Sequence, residues 1–192
     1  MTGTKSESPS RAKALTRRWP TALAVGLSAL SVGGGGSGDV SAAVGPYGEI
    51  LLLLPLLYLI VTQTGRPQAT WPVLAVLVMA MIVLWALDVV APPVVLIAAA
   101  LVLLVWGTVG GTPHGRATFG VQAVGMLIFG ALALVGLAVD PELGRYLVAA
   151  GWFFHGAWDF VHLRLGKVVS RTFAEWCGVI DILVAAELVF LL

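Results

Sequence analysis

The chain has 192 residues, 59% of them hydrophobic and 11% charged, with a net charge of +1. Soluble domains carry about 25% charged residues, so this composition argues against a water-soluble globule and makes the lipid bilayer the first expected partner. Near-neutral charge gives no basis for nucleic-acid binding. The lone cysteine, Cys177, excludes an intramolecular disulfide and a cysteine-based metal cluster.

A membrane-spanning helix needs roughly 20 apolar residues, so seven spans with short connections would use almost all of these residues. The expected fold is therefore all-α: a multi-pass transmembrane helical bundle of about seven spans, forming one domain over 19–192. Residues 1–18 are polar, with Lys5, Arg11, Lys13, Arg17 and Arg18, and read as a disordered cytoplasmic tail. Trp19-Pro20 opens an apolar run to Val32 that reads as a first span reaching Gly36. The same run also fits the core of a signal peptide, with a small-residue cleavage pattern near Ser31-Val-Gly33, which would leave six spans.

Gly34–Asp39 reads as a loop. The second span falls within 41–62, with Pro46 and Pro55 expected to bend it. The third covers about 71–90 and the fourth, a short one, about 93–107. The fifth covers about 119–139, the sixth about 142–164 and the seventh 172–192. Asp140-Pro141 suits the start of the sixth, Asp as the cap and Pro as the first helical residue. Gly120, Gly125 and Gly130 are expected to let the fifth helix pack closely against several neighbours.

Basic residues set the expected orientation. With the amino terminus inside and seven crossings, ten Lys and Arg fall inside and only Arg145 outside, and the carboxyl terminus lies outside. Arg outnumbers Lys eight to three in an Ala/Gly/Val/Leu-rich chain, which points to a GC-rich bacterial genome and an inner-membrane location. Trp19, Trp71, Trp106, Trp152 and Trp176 lie toward span ends, as interfacial anchors do.

Chemistry concentrates between Gly151 and Asp181, where two histidines and three acids interrupt hydrophobic segments. Ionisable groups in spans are expensive and face the bundle interior or a cavity. At about 100° per residue, His155, Asp159 and His162 lie within roughly 60° of one another on the sixth helix. Gly144, Val148, Gly151 and Gly166 share that face. Counting back from the turn, the antiparallel seventh helix sets His155 level with Asp181, Asp159 with Cys177 and Gly178, and His162 with Glu175. Ala174, Cys177, Gly178, Asp181 and Ala185 form its small, polar face, whereas Glu175 points about 120° away from Asp181. Trp158 adjoins Asp159 and is placed to wall a pocket.

These residues leave three readings open. The first is a proton or ion relay serving permeation of a small solute. The second is a metal site of His155, Asp159 and His162, with Asp181 in reach, suited to Zn or non-haem Fe and to an enzyme, hydrolase or oxidase, acting on a lipid or other apolar substrate. The third is a structural or partner-binding protein in which His–Asp hydrogen bonds only clasp two helices. The metal reading is strained by spacing, since His155 and His162 stand about 10.5 Å apart along the axis.

The run His155-Gly-Ala-Trp158-Asp159-Phe-Val-His162, followed by Phe173-Ala-Glu175-Trp-Cys177 and Asp181, resembles a group of small uncharacterised bacterial integral membrane proteins with a His-x-x-Trp-Asp-x-x-His segment in the penultimate span. The resemblance covers roughly the last forty residues and brings no activity with it. Retinal is excluded as a cofactor, because the only lysines are Lys5, Lys13 and Lys167, none within a span. The expected topology is similar to that of progestin and adipoQ receptors, but the His-x-x-x-His pair those proteins carry in the last span is absent here, so the likeness stops at topology.

Overall fold

The computed structural model describes residues 18–33 and 40–190. Over these the protein is all-α, with seven α-helices. They are α1 (Trp19–Gly33), α2 (Val40–Thr64), α3 (Thr70–Leu87), α4 (Pro92–Gly110), α5 (Gly115–Ala138), α6 (Pro141–Leu165) and α7 (Arg171–Phe190), with a single 3-10 turn, Pro67–Ala69, before α3. All but the last residue of the tail read over 1–18, the Gly34–Asp39 loop and the last two residues lie outside the described residues, as do the side chains at the proposed cleavage pattern.

Among the described residues, four segments are long and apolar enough to cross a membrane: Ala42–Thr64, Pro67–Leu87, Pro92–Gly110 and Gly115–Ala138. Their burial differs in an informative way. In α2, 67% of the most apolar window is buried inside the bundle, against 22% in α3 and 17% in α4. A helix that is hydrophobic all round belongs in a core or in lipid. Accordingly α2 is the central helix, buried continuously from Leu51 to Leu59 and flanked by α3, α4, α5 and α6, while α3 and α4 present Val76, Met79, Leu101, Val102 and Val105 outward. α6 and α7 are long enough to span, but Glu142, Arg145, Asp159 and Arg164 interrupt the first, and Arg171, Glu175, Asp181 and Glu187 the second.

Helix ends follow the local chemistry. Asp140 Oδ1 accepts a hydrogen bond from the Leu143 N–H at 3.1 Å and Pro141 occupies the first turn, as expected. Gly166 closes α6 in the left-handed region at φ 61°, its N–H donating to the His162 carbonyl at 2.8 Å. α4 runs three residues beyond the predicted end. Gly107, read there as a boundary, sits inside the helix, where a side chain would collide with the Phe119 ring. The helix stops at Gly111, with φ 73°.

The α6–α7 contact is the most extensive in the bundle, and α1 packs on the other side of α7. Trp19, Trp71 and Trp176 pack with tilted rings where α1, α3 and α7 meet, with ring centroids 5.7 and 5.3 Å apart. Trp71 donates to Thr172 Oγ1 at 3.0 Å, and the Ser170 N–H donates to Thr70 Oγ1 at 3.0 Å. These bonds tie the α6–α7 turn to the start of α3. They gather Arg18, Arg164, Lys167 and Arg171 at one end of the bundle. Trp152 departs from the anchor role: it is 3% exposed and donates to the Tyr47 carbonyl at 3.0 Å.

Candidate functional site: a buried His–Asp–Cys cluster

The inward face of α6 is buried at Gly144, Val148, Gly151, His155, Asp159 and His162. That of α7 is buried at Ala174, Cys177, Gly178, Asp181 and Ala185. Both match the faces expected from helical spacing except at Gly166, which was expected on the α6 face but lies past the helix end as its exposed cap. Small residues bring the two backbones together. A Cβ at Gly156 would stand 3.0 Å from Asp181 Cβ and 3.1 Å from the Gly178 carbonyl, and one at Gly178 would stand 3.2 Å from Asp159 Cβ. Close approach of this kind is how membrane helices pack without a hydrophobic driving force.

The predicted pairing of His155 with Asp181 is present. His155 Nδ1 lies 2.7 Å from Asp181 Oδ2 and 3.4 Å from Asp159 Oδ2. The Cys177 thiol donates to Asp181 Oδ1 at 3.7 Å. Tyr58, from the central helix, donates a short hydrogen bond to Asp159 Oδ1. His155, Asp159, Cys177 and Asp181 thus each offer one donor atom within 4.8 Å of every other. All four are buried, the histidine and both carboxylates at 0% exposure. Asp159 Oδ2 and His155 Nε2 have no hydrogen-bond partner among the described residues.

His162 is not part of this group. The Tyr58 ring stands beside both imidazoles, with centroids 5.7 Å from His155 and 4.9 Å from His162. His162 instead faces α5. Its Nε2 is 3.0 Å from Gln122 Nε2, and its Nδ1 is 3.0 Å from the Trp158 carbonyl. Helical spacing set the three residues on one face, but two turns of rise separate the histidines. Trp158 walls the His162 side, packing on Phe129, His162 and Gly125. Glu175 is also elsewhere: Thr21 donates to its carboxylate at 2.6 Å and Arg18 lies 3.6 Å away, at the contact with α1. Its divergence from Asp181 was readable from the helical angle, and its partner was not.

Sequence reasoning passed over Tyr58 and Gln122. Each had a signal, since Tyr58 is the one polar-tipped side chain between Leu51 and Val61, and Gln122 the one amide of α5. A buried tyrosine hydroxyl usually finds a partner. His114 remains a loop residue, its ring nitrogens 3.4 Å from the Thr62 carbonyl and 3.1 Å from the Lys167 carbonyl.

An apolar cavity of about 160 Å³ opens beside the cluster, between α2, α3 and α7. Ile50, Leu54, Met81, Trp85 and Trp176 form its walls, and Cys177 and Asp181 lie at its inner side. The acids that could have marked a polar route to Asp159 are engaged or remote. Glu49 Oε2 accepts from Trp85 Nε1 at 2.5 Å, and Asp88 is exposed at the end of α3.

The donor set fits a divalent metal ion. Ligands about 2.0–2.3 Å from a tetrahedral zinc stand roughly 3.3–3.8 Å apart. The His155–Asp159 and Cys177–Asp181 separations of 3.4 and 3.7 Å match this, whereas His155 and Asp181, in direct hydrogen-bond contact at 2.7 Å, would have to move apart to share an ion. Imidazole, thiolate and carboxylate are all zinc ligands. Two buried carboxylates facing one imidazole also need positive charge nearby, and a cation supplies it. No family model matches this chain, and no curated protein or solved structure matches it either.

Proposed function

We propose that this protein is a seven-span protein of a bacterial cytoplasmic membrane, amino terminus inside, that binds a divalent metal ion at His155, Asp159, Cys177 and Asp181 and acts as a metal-dependent membrane enzyme on an apolar substrate. The observation that carries the reading is the convergence of four buried donors within 4.8 Å beside an apolar cavity. α1 joins the bundle through its ring contact with Trp71 and the bond to Glu175, which supports its retention as a seventh crossing, although its 15 helical residues are fewer than a full span needs. The basic residues collected at one end support the orientation. A bound divalent ion would supply Lewis acidity, and it would activate a water only where one of the four protein donors leaves its coordination shell, since catalytic zinc keeps an open position. Within the chain, Tyr58 orients Asp159, and the packing of Phe129 on His155, at 5.0 Å between centroids, restrains the imidazole.

A second reading, proton- or ion-coupled permeation, has one observation in its favour. Tyr58, Asp159, His155 and Asp181 form a continuous chain of polar contacts through the bundle. The apolar walls between this chain and Glu49 argue for the enzyme.

Cobalt(II) titrated into metal-free, detergent-purified protein tests the ligand set. One equivalent is expected to give a thiolate-to-cobalt charge-transfer band, absent from Cys177→Ser. Cobalt that binds without this band would remove Cys177 from the site, and absence of saturable binding would overturn the metal reading.

A further inference from the structure

The cavity beside the cluster specifies the kind of molecule that reaches it. Its outer wall is α3, the helix with one of the most outward-facing apolar surfaces in the bundle. Val78 and Ile82 line the cavity and are also 44% and 49% exposed on that surface. In a bilayer the entrance is therefore lateral, from the acyl-chain region, and water is not the solvent that enters. The walls offer no charge until Cys177 and Asp181 are reached. A dry apolar cavity of about 150 Å³ accepts a group the size of benzene. The observed volume of about 160 Å³ therefore admits a short stretch of one hydrocarbon chain, and is too small for a two-chain lipid.

A chain moving from lipid into an apolar cavity gains little from the hydrophobic effect, because both environments are apolar. Retention must come from packing and from a polar contact. Trp176, one wall of the cavity and the neighbour of Cys177, carries a buried indole N–H with no acceptor among the described residues. An unsatisfied donor at membrane depth is costly. The cavity wall as it stands is almost wholly apolar, so a carbonyl oxygen on the entering chain would satisfy this N–H once the Trp176 side chain turns toward it. At the rim, the Trp85–Glu49 hydrogen bond provides a polar contact for a headgroup.

We propose that this cavity receives a single acyl chain of a bilayer lipid through the α3 face, with the carbonyl end of the chain set against Trp176, Cys177 and Asp181. The inference rests on the metal-enzyme reading for its chemical consequence, since it names an acyl lipid as the substrate class. The binding itself does not need the metal.

Photolabelling of the full chain in lipid nanodiscs tests it. The probe is a palmitoyl lysophosphatidylcholine carrying a diazirine beside its carbonyl, with adducts mapped by peptide mass spectrometry. Adducts are expected on Met81–Trp85 and Trp176–Asp181. They are expected to fall about tenfold in Val78→Trp and in Leu54→Phe, which fill the cavity from the mouth and from the wall. Val78 is half exposed, so its replacement leaves the core intact, and an unchanged melting temperature identifies a folded variant. Asp159→Asn separates the two readings, because it removes a proposed metal ligand that does not line the cavity and is expected to leave labelling at Met81–Trp85. Adducts spread evenly over the outer faces of α3 and α4, or concentrated in the α6–α7 groove at Phe153 and Phe154, and unaffected by Val78→Trp, would overturn the proposal.

Discussion

His155→Ala and Asp181→Ala are each expected to destabilise the protein by roughly 3–5 kcal/mol, the range for breaking one side of a buried ion pair. An ordinary interhelical hydrogen bond in a membrane averages about 0.6 kcal/mol, so two scales compete. Geometry decides for the larger one. His155 Nδ1 lies 2.7 Å from Asp181 Oδ2 with both side chains at 0% exposure, and removing the imidazole leaves that carboxylate oxygen buried without its hydrogen-bond partner. The reverse change leaves a buried imidazole beside Asp159 alone. The double variant is expected to cost less than the sum of the singles, with a coupling energy on the order of 1–3 kcal/mol. Unfolding of the four proteins by titration from mild to denaturing detergent measures this. Strict additivity, or single losses below about 1 kcal/mol, would show that the pair contributes only as an ordinary polar contact.

Gly144→Leu is expected to be at least as damaging, at about 3 kcal/mol or more, because the obstacle is backbone. A Cβ at Gly144 would fall on the carbonyl of Gly136, in the crossing of α5 and α6, and Val44 of the central helix closes the other side at 3.3 Å. No rotamer relieves a collision with a carbonyl. Since α6 carries His155 and Asp159, forcing this crossing apart also displaces the cluster. Gly120→Ala provides the contrast: nothing lies within 4 Å of the added Cβ, and the variant is expected to match the parent or gain up to about 1 kcal/mol in helix propensity. Yield of monodisperse protein and melting temperature in detergent read both. Equal tolerance of the two substitutions would contradict the packing described.

The glycines also show what one sequence makes legible. Gly120, Gly125 and Gly130 were expected to act alike as close-packing positions. In the bundle Gly125 lies against Trp158, and Gly130 touches Met126 and Leu52 only at van der Waals distance, while Gly120 faces open space. Composition identifies residues able to pack closely; the neighbours decide which of them do. The inward faces of α6 and α7 and the His155–Asp181 pairing were legible because a short loop between antiparallel helices fixes their relative register. The site was legible only where it depended on that hairpin. Tyr58 belongs to a helix about a hundred residues earlier, and no local pattern indicates that α2 rather than α5 approaches Asp159. His162 shares the helix face but stands about 10.5 Å along the axis from His155, and that offset, already a strain on the metal reading, keeps it out of the cluster. Its partner, Gln122, again comes from a distant helix.

The most direct test is metal content by inductively coupled plasma mass spectrometry on detergent-purified protein prepared without chelators. The account predicts close to one divalent ion of the zinc class per chain in the wild type. The ion is expected to be lost in His155→Ala and Asp181→Asn and retained in His162→Ala and Glu175→Gln, whose side chains face Gln122 and α1. A folded wild-type protein without metal, or loss of metal on changing His162 but not Asp181, would contradict it.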